Sequence, residues 1–405
     1  MSNFVLTKFK NFATINAGQS PESIYYSDSE GTPFLQGNRT FGTLYPEIDT
    51  YTKKVTKIAL NGDILMSVRA PVGDLNFANQ NVCIGRGIAG IKANDGNNQF
   101  LFYCLKYNIQ NLIRQGSGTT YDSVNKDIIN DFDLIMPKNY KTREKIAKVL
   151  SDLDAKIELN NKINTELETM AKTLYDYWFV QFDFPDAIGK PYKNSGGKMV
   201  WNLELKREIP EGWEIGELKD IANITTGKLD SNAEVSDGKY PFYTCASEPT
   251  KTDSFAFDDT VILIAGNNAS GNFHINRYKG KFNAYQRTYI TTAKNIIDLE
   301  YLYQVLKTET KLLKSQGKGS QTKFLTIGML TGIKVFKGNS KTMRSFNDLT
   351  NPIFEQQVVV RKQNEELASL RDWLLPMLMN GQVSVGDVEE ELGMVAEESV
   401  EYKRR

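Results

Sequence analysis

The chain repeats itself once. QGSGTT at 115–120 is answered by QGKGSQ at 316–321, and the likeness extends on both sides without a gap. FLFYCLK (100–106) faces YLYQVLK (301–307), and FDLIMP (132–137) faces IKVFKG (333–338). Leu101, Leu105, Lys106, Leu112, Gln115, Gly116 and Gly118 recur as Leu302, Leu306, Lys307, Leu313, Gln316, Gly317 and Gly319. Two copies in 405 residues exclude a solenoid array and favour tandem duplication of a whole domain. The chain is long enough for two cores, and its 40% hydrophobic and 24% charged residues are those of an ordinary globular protein.

Each β-like repeat is followed by a helical segment. Ile146, Leu150, Leu153, Ile157, Asn160, Asn164, Leu167, Ala171, Leu174 and Trp178 alternate in steps of four and three, the seam of a heptad helix that needs a partner. The shifted copy supplies one: Ile353, Gln357, Val360, Asn364, Leu367, Arg371, Leu374 and Leu378, with Asn351 and Pro352 reading as its N-cap and first turn. An antiparallel pair is expected, because the first helix then runs directly into the second repeat. Asn160, Asn164 and Asn364 are either register-setting polar residues or a solvated gap in the seam.

Composition narrows the function. Lysine plus arginine and aspartate plus glutamate both number 49, so bulk electrostatics alone does not hold nucleic acid. Local charge differs. GNNASGNFHINRYKGKFNAYQR (266–287) and KLLKSQGKGSQTKF (311–324) carry cations and no acid, whereas Asp387, Glu389, Glu390, Glu391, Glu397, Glu398 and Glu401 make the end acidic. Cys83, Cys104 and Cys245 are widely spaced, no signal-like leader is seen and no apolar run is long enough for a bilayer, so a cytoplasmic protein without a membrane span is expected.

Several motifs imitate catalytic ones. Pro185-Asp186 with Glu204-Leu205-Lys206 spells a metal-dependent nuclease, but lies in a connector rich in Gly, Pro and Lys. Asn351-Pro352-Ile353-Phe354 resembles an amino-methyltransferase loop without the Gly-rich cofactor loop, and reads more simply as a helix cap. Gly266 to Gly271 has phosphate-loop spacing with Asn272 where lysine belongs. His274 is the only histidine, which excludes clusters of histidine ligands. No catalytic residue, metal site or cofactor is therefore expected in this chain.

GTPFLQGN (31–38), GDILMSVRAPVGD (62–74), IGRG (84–87), YDYWFVQFDFP (175–185), GKPYKNSGGKMVWN (189–202), EIPEGWEIGEL (208–218), GKFNAYQRTYI (280–290) and LRDWLLPMLMNGQVSV (370–385) together resemble the specificity (S) subunit of type I restriction-modification systems. The resemblance runs from about Gly31 to Val385. It implies an α+β fold: two β-rich target recognition domains in pseudo-twofold tandem repeat, separated by two long helices forming an antiparallel coiled coil. The corresponding boundaries are 1–140 and 213–350 for the recognition domains, 141–180 and 351–381 for the helices, 181–212 for a connector and 382–405 for the acidic tail.

It also implies a non-catalytic subunit whose domains each read one half of a bipartite asymmetric site in double-stranded DNA. Its partners would be two adenine methyltransferase (M) subunits and, through them, two restriction/translocase (R) subunits. A fused methyltransferase or nuclease, and a protein-binding scaffold, are the alternatives. Arginine suits guanine and asparagine or glutamine suits adenine in the major groove. On that basis the DNA-binding candidates are Gln36, Asn38, Arg39, Ser67, Arg69, Arg86, Thr119 and Thr120 in the first domain. In the second they are Asn267, Asn268, Asn272, Arg277, Lys281, Arg287, Lys318 and Lys323. Arg69, inside SVRAPVGD, suits a phosphate or the loop itself as well as a base.

Overall fold

The computed structural model describes residues 3–116, 123–268, 271, 273–316, 323–337 and 340–386, with backbone alone at 116 and 312–316. It divides into two compact units, Met1–Ile163 with the chain from Val360 onward, and Asn164–Val359. Both are α+β.

In the first unit Phe4–Lys8 pairs antiparallel with Asp133–Pro137, so the beginning and end of the first repeat are tied together. Ala13–Ala17, Ile88–Ala93, Ile64–Ser67 and Leu75–Phe77 lie side by side in a four-stranded sheet. Tyr26–Ser27, Tyr51–Thr52, Thr32–Leu35, Val82–Ile84 and Ile58–Ala59 form a five-stranded one. The helix Asn98–Gly116 starts where the buried Asn97 accepts from Phe100 N at 2.9 Å. Phe100, Leu101, Tyr103, Cys104 and Leu105 from this helix enter the core with Ile64, Met66 and Ile91 from the sheet.

The second unit repeats the plan. Glu214–Glu217 pairs with Lys334–Lys337, and Ala222–Thr226, Thr288–Ala293, Phe257–Ala265, Ile275–Ala284, Tyr240–Tyr243 and Thr250–Thr252 form a six-stranded sheet. The helix Leu299–Gln316 is the copy of Asn98–Gly116. The hexamers that reveal the repeat begin at the ends of these two helices and otherwise fall outside the described residues.

The first long helix is Tyr140–Tyr175, extended by a π-turn over Asp176–Val180. Asn139 caps it through Lys141 N at 2.8 Å. The second long helix is Ser340–Met379. The expected start at Asn351 is therefore corrected: Pro352 lies inside the helix. A proline there removes one hydrogen bond and strains a turn, at about 3 kcal/mol. Burial of Met343, Phe346 and Phe354 offsets this, at roughly 1.5–3 kcal/mol for each large apolar side chain.

In the first unit the long helices run antiparallel. Asp154 meets Arg371 at 2.6 Å, and Asn160 Nδ2 donates to Asn364 Oδ1 at 2.9 Å while Asn364 Nδ2 donates to Asn161 Oδ1 at 2.8 Å. The seam asparagines are thus paired, and a slipped register would leave buried amides unsatisfied. Asp154 also accepts from Tyr103 Oη at 2.6 Å, so one buried carboxylate joins the domain's own helix to both long helices. The second unit makes the same kind of joint. Glu168 is gripped by Lys307 of the Leu299–Gln316 helix and by Gln357 Nε2 at 3.3 Å. Trp178 lies 5.5 Å from Phe346, so pairing is antiparallel here as well. Asn164 differs from the other two: its backbone oxygen accepts from Gln357 at 3.4 Å and its side-chain oxygen is buried without a partner.

The stretch between the first long helix and the second repeat is folded with the second unit. Phe184 stacks on Tyr192 and Trp213 with centroids 4.7 and 5.1 Å away, and Met199–Asn202 pairs with Arg207–Pro210. The nuclease-like residues serve this fold: Asp186 accepts from Ile188 N and Lys190 N, and Glu204 pairs with Lys334.

Candidate nucleic-acid interface

In the first unit the site is framed by backbone. Beyond the strand Ile64–Ser67, Val68 N donates to Gly87 O at 2.9 Å, Val124 N donates to Val68 O at 3.1 Å, and Arg69 bridges Ser123. The loop 67–74 is closed by Ser67, whose hydroxyl donates to Pro71 O at 2.8 Å and accepts from Asp74 N at 2.9 Å. Gly18 lets a neighbouring segment in: a Cβ there would sit 2.1 Å from Gly85 O. These segments leave a cleft of 250 Å³ with Ile15, Val68, Ile88 and Ile129 in its wall and Arg69, Arg86 and Lys126 around it.

The second unit has the same frame. Gly266 N donates to Arg287 O at 2.9 Å, Leu325 N donates to Gly266 O at 2.8 Å, and Asn267 pairs with Phe324. A Cβ on Gly227 would lie 2.1 Å from Ala284 O, as on Gly18. The shared hydrogen bonds make Val68 equivalent to Gly266, Gly87 to Arg287 and Val124 to Leu325. Arg69, Arg86 and Lys126 then correspond to Asn267, Gln286 and Ile327. The backbone is kept and the side chains are changed.

The structure sorts the candidates chosen from sequence. Arg69 and Arg86 are exposed on one cleft. Gln36 is exposed beside them, its Oε1 accepting from Tyr26 at 3.2 Å, and Asn38 donates to Asp74 at 2.5 Å. Arg39 is 75% exposed and paired with Asp49 at 2.7 Å, a contact weak enough to exchange for another anion. In the second unit Asn267, Asn268, Arg287 and Lys323 gather at the frame. Lys281 does not: it pairs with Asp258, at the other end of the strand Phe257–Ala265, on the order of 20 Å away at about 3.3 Å per residue. Its ammonium instead covers Phe255 at 4.7 Å.

Two choices are corrected. Ser67 is 1% exposed and spends its hydroxyl on the 67–74 loop. Arg277 is 4% exposed, ion-paired with Glu300 and laid 3.4 Å over the Phe354 ring. It anchors the sheet to the second long helix. Thr119, Thr120, Asn272 and Lys318 lie outside the described residues. Lys126 and Gln286 were not singled out from sequence, although aligning the two repeats through IGRG and AYQR would have exposed Gln286. Among the described residues no group of three or more His, Cys, Asp or Glu side chains is placed to hold a metal, and no helix is long and apolar enough to cross a membrane.

A family model described as type I restriction modification DNA specificity domain matches residues 1–169 and 210–336. The chain belongs to this family. Its two matched segments fall on the two repeats, and the specificity subunit, a recognition component and not a catalytic one, is the class inferred from the sequence motifs. Among relatives of this specificity family, the EcoDI specificity subunit of Escherichia coli is 34% identical over 181 residues, which cover 44% of this chain and 40% of that protein. The chain thus spans about two fifths of that relative in the match. The MjaIX specificity subunit of Methanocaldococcus jannaschii is 26% identical over 355 residues, covering 82% of this chain and 80% of that one. A crystal structure of a type I restriction-modification S subunit from M. genitalium has the same fold, with a TM-score of 0.58 at 17% identity over 93% of this chain and 96% of that one.

Proposed function

We propose that this specificity subunit reads a bipartite, asymmetric sequence in double-stranded DNA, one half with each repeat. The observation that carries this reading is the shared frame with unlike side chains: Arg69 and Arg86 in one repeat stand where Asn267 and Gln286 stand in the other. Two heads that keep one backbone frame and differ in the side chains presented on it suit two different half-sites in one chain. The paired long helices set the unspecified spacer and dock two adenine methyltransferase subunits, through which two restriction/translocase subunits join. The chain acts in the cytoplasm and holds no cofactor of its own. It directs methylation and cleavage performed by those partners.

The test is methylated-adenine mapping in cells carrying the chain and its partner subunits. An asymmetric two-part motif is expected, and an insertion within 155–165 of the first long helix should alter the spacer and leave both half-sites unchanged. A palindromic or continuous motif, or altered half-site bases in the insertion variant, refutes the reading.

A further inference from the structure

We infer that the cleft bounded by Arg69, Arg86 and Lys126 is a seat for one phosphodiester of the DNA backbone, present in the first recognition domain and missing from its counterpart. The inference rests on the DNA-reading function above and adds what this part of the surface takes. Three cations reach the cleft from three separate segments: the 67–74 loop, the IGRG turn, and the chain after Ser123. Among the described residues no acidic side chain lines it, and none of the three cations makes an ion pair or a side-chain hydrogen bond. Elsewhere in this unit Lys8, Lys10, Arg39 and Arg143 all have carboxylate partners.

Three positive charges without acidic partners around one cavity of 250 Å³ favour an anion there. A base edge presents dipoles without net charge and is read by a single planar fork with its two bonds in line. A phosphate accepts from several directions at once and carries the compensating charge. The frame supports this use. Arg86 sits between Gly85 and Gly87, and a Cβ on Gly87 would come 2.6 Å from Gln36 O, so the turn presenting the guanidinium is fixed by close backbone contact. In the second domain the equivalent positions hold Asn267, Gln286 and Ile327, with no cation among them. The seat formed by these three positions is therefore peculiar to the first domain, and the cations at the second domain's frame, Arg287 and Lys323, stand at other positions.

Salt titration of the full chain, with the subunits that co-purify with it, tests the seat on a fluorescent duplex of random sequence. The Arg69→Gln/Arg86→Gln/Lys126→Gln variant should bind more weakly and lose about 0.9 from the magnitude of the log–log salt slope, the increment for one phosphate on duplex DNA. Its mapped methylation motif should be that of the parent chain. The Asn267→Ala/Gln286→Ala variant should keep the parent slope. All substituted residues lie at the surface or partly exposed, and an unchanged melting temperature confirms the fold. An unchanged slope in the triple variant overturns the seat, as does a changed base in its motif, which would mean base reading. Equal slope loss in the second-domain variant overturns the asymmetry. A parent chain that binds duplex with a normal slope but shows no sequence preference would instead refute the function and leave the seat standing.

Discussion

Replacing Arg371 with methionine should loosen the first unit selectively. Asp154 is 1% exposed and the Arg371 side chain 13% exposed, with their charged atoms 2.6 Å apart. Removing one member of such a pair strands a buried charge, at about 3–5 kcal/mol. The lower end applies, because Tyr103 still donates to Asp154 at 2.6 Å and Arg371 also leans on the exposed Asp372. A loss of about 3 kcal/mol is on the order of 100-fold in the opening equilibrium. Hydrogen exchange in the full chain reads it: amides of 146–157 should lose that protection, while amides of 302–308 in the other unit serve as the internal reference. Replacing the whole cluster, Tyr103→Phe with Asp154→Leu and Arg371→Met, should return protection to within about 1 kcal/mol, since no polar group is then left without a partner. A loss below tenfold in Arg371→Met, or a triple variant weaker than the single one, refutes the reasoning.

Two further outcomes follow from close packing and burial. Gly18→Ala and Gly227→Ala each place a Cβ 2.1 Å from a backbone oxygen, so each should cost roughly 1–3 kcal/mol in its own unit, measured by denaturant melts followed with unit-specific exchange. Burial pushes the Cys104 thiol up to about 12, so it stays protonated near pH 8, and Cys83 is buried as well. The partly exposed Cys245 should therefore be the first of the three to react with iodoacetamide in the native chain, as mass spectrometry of the labelled peptides will show; early labelling of Cys104 counts against the core assigned here.

The repeat and the paired helices are legible in sequence because both depend on periodicity. A spacing of about 200 survives wherever the core demands it, and a four-three alternation survives wherever one helix face is covered. The start of the second long helix is not legible: Asn351-Pro352 has the local spelling of a beginning, and only tertiary burial of Phe346 and Phe354 keeps the helix going through it. The connector misleads in the same way. Its Gly, Pro and Lys content hides the Phe184, Tyr192 and Trp213 stack, which forms between residues distant in sequence.

The basic stretch at 266–287 shows the limit of charge counting. Arg277, Lys279 and Lys281 alternate along one strand, yet Arg277 is buried under Phe354, the exposed Lys279 pairs with Glu355 at 3.0 Å, and Lys281 is left to Phe255 and solvent. Which of three like residues is covered is decided by the helix laid across the strand, and sequence does not announce that cover. The frame glycines have the converse character: their close approaches are invisible locally, but the two copies can be aligned through them.

The joints at the buried Asp154 and the half-buried Glu168 bear on how such a chain would accept a different globular head in either repeat. Each head meets the joint through one side chain of its own helix, Tyr103 in one case and Lys307 in the other. A foreign head inserted by recombination would seat on the same carboxylate if it brought a single suitable donor at that place. Loops elsewhere on the head are then left to diversify without disturbing the join.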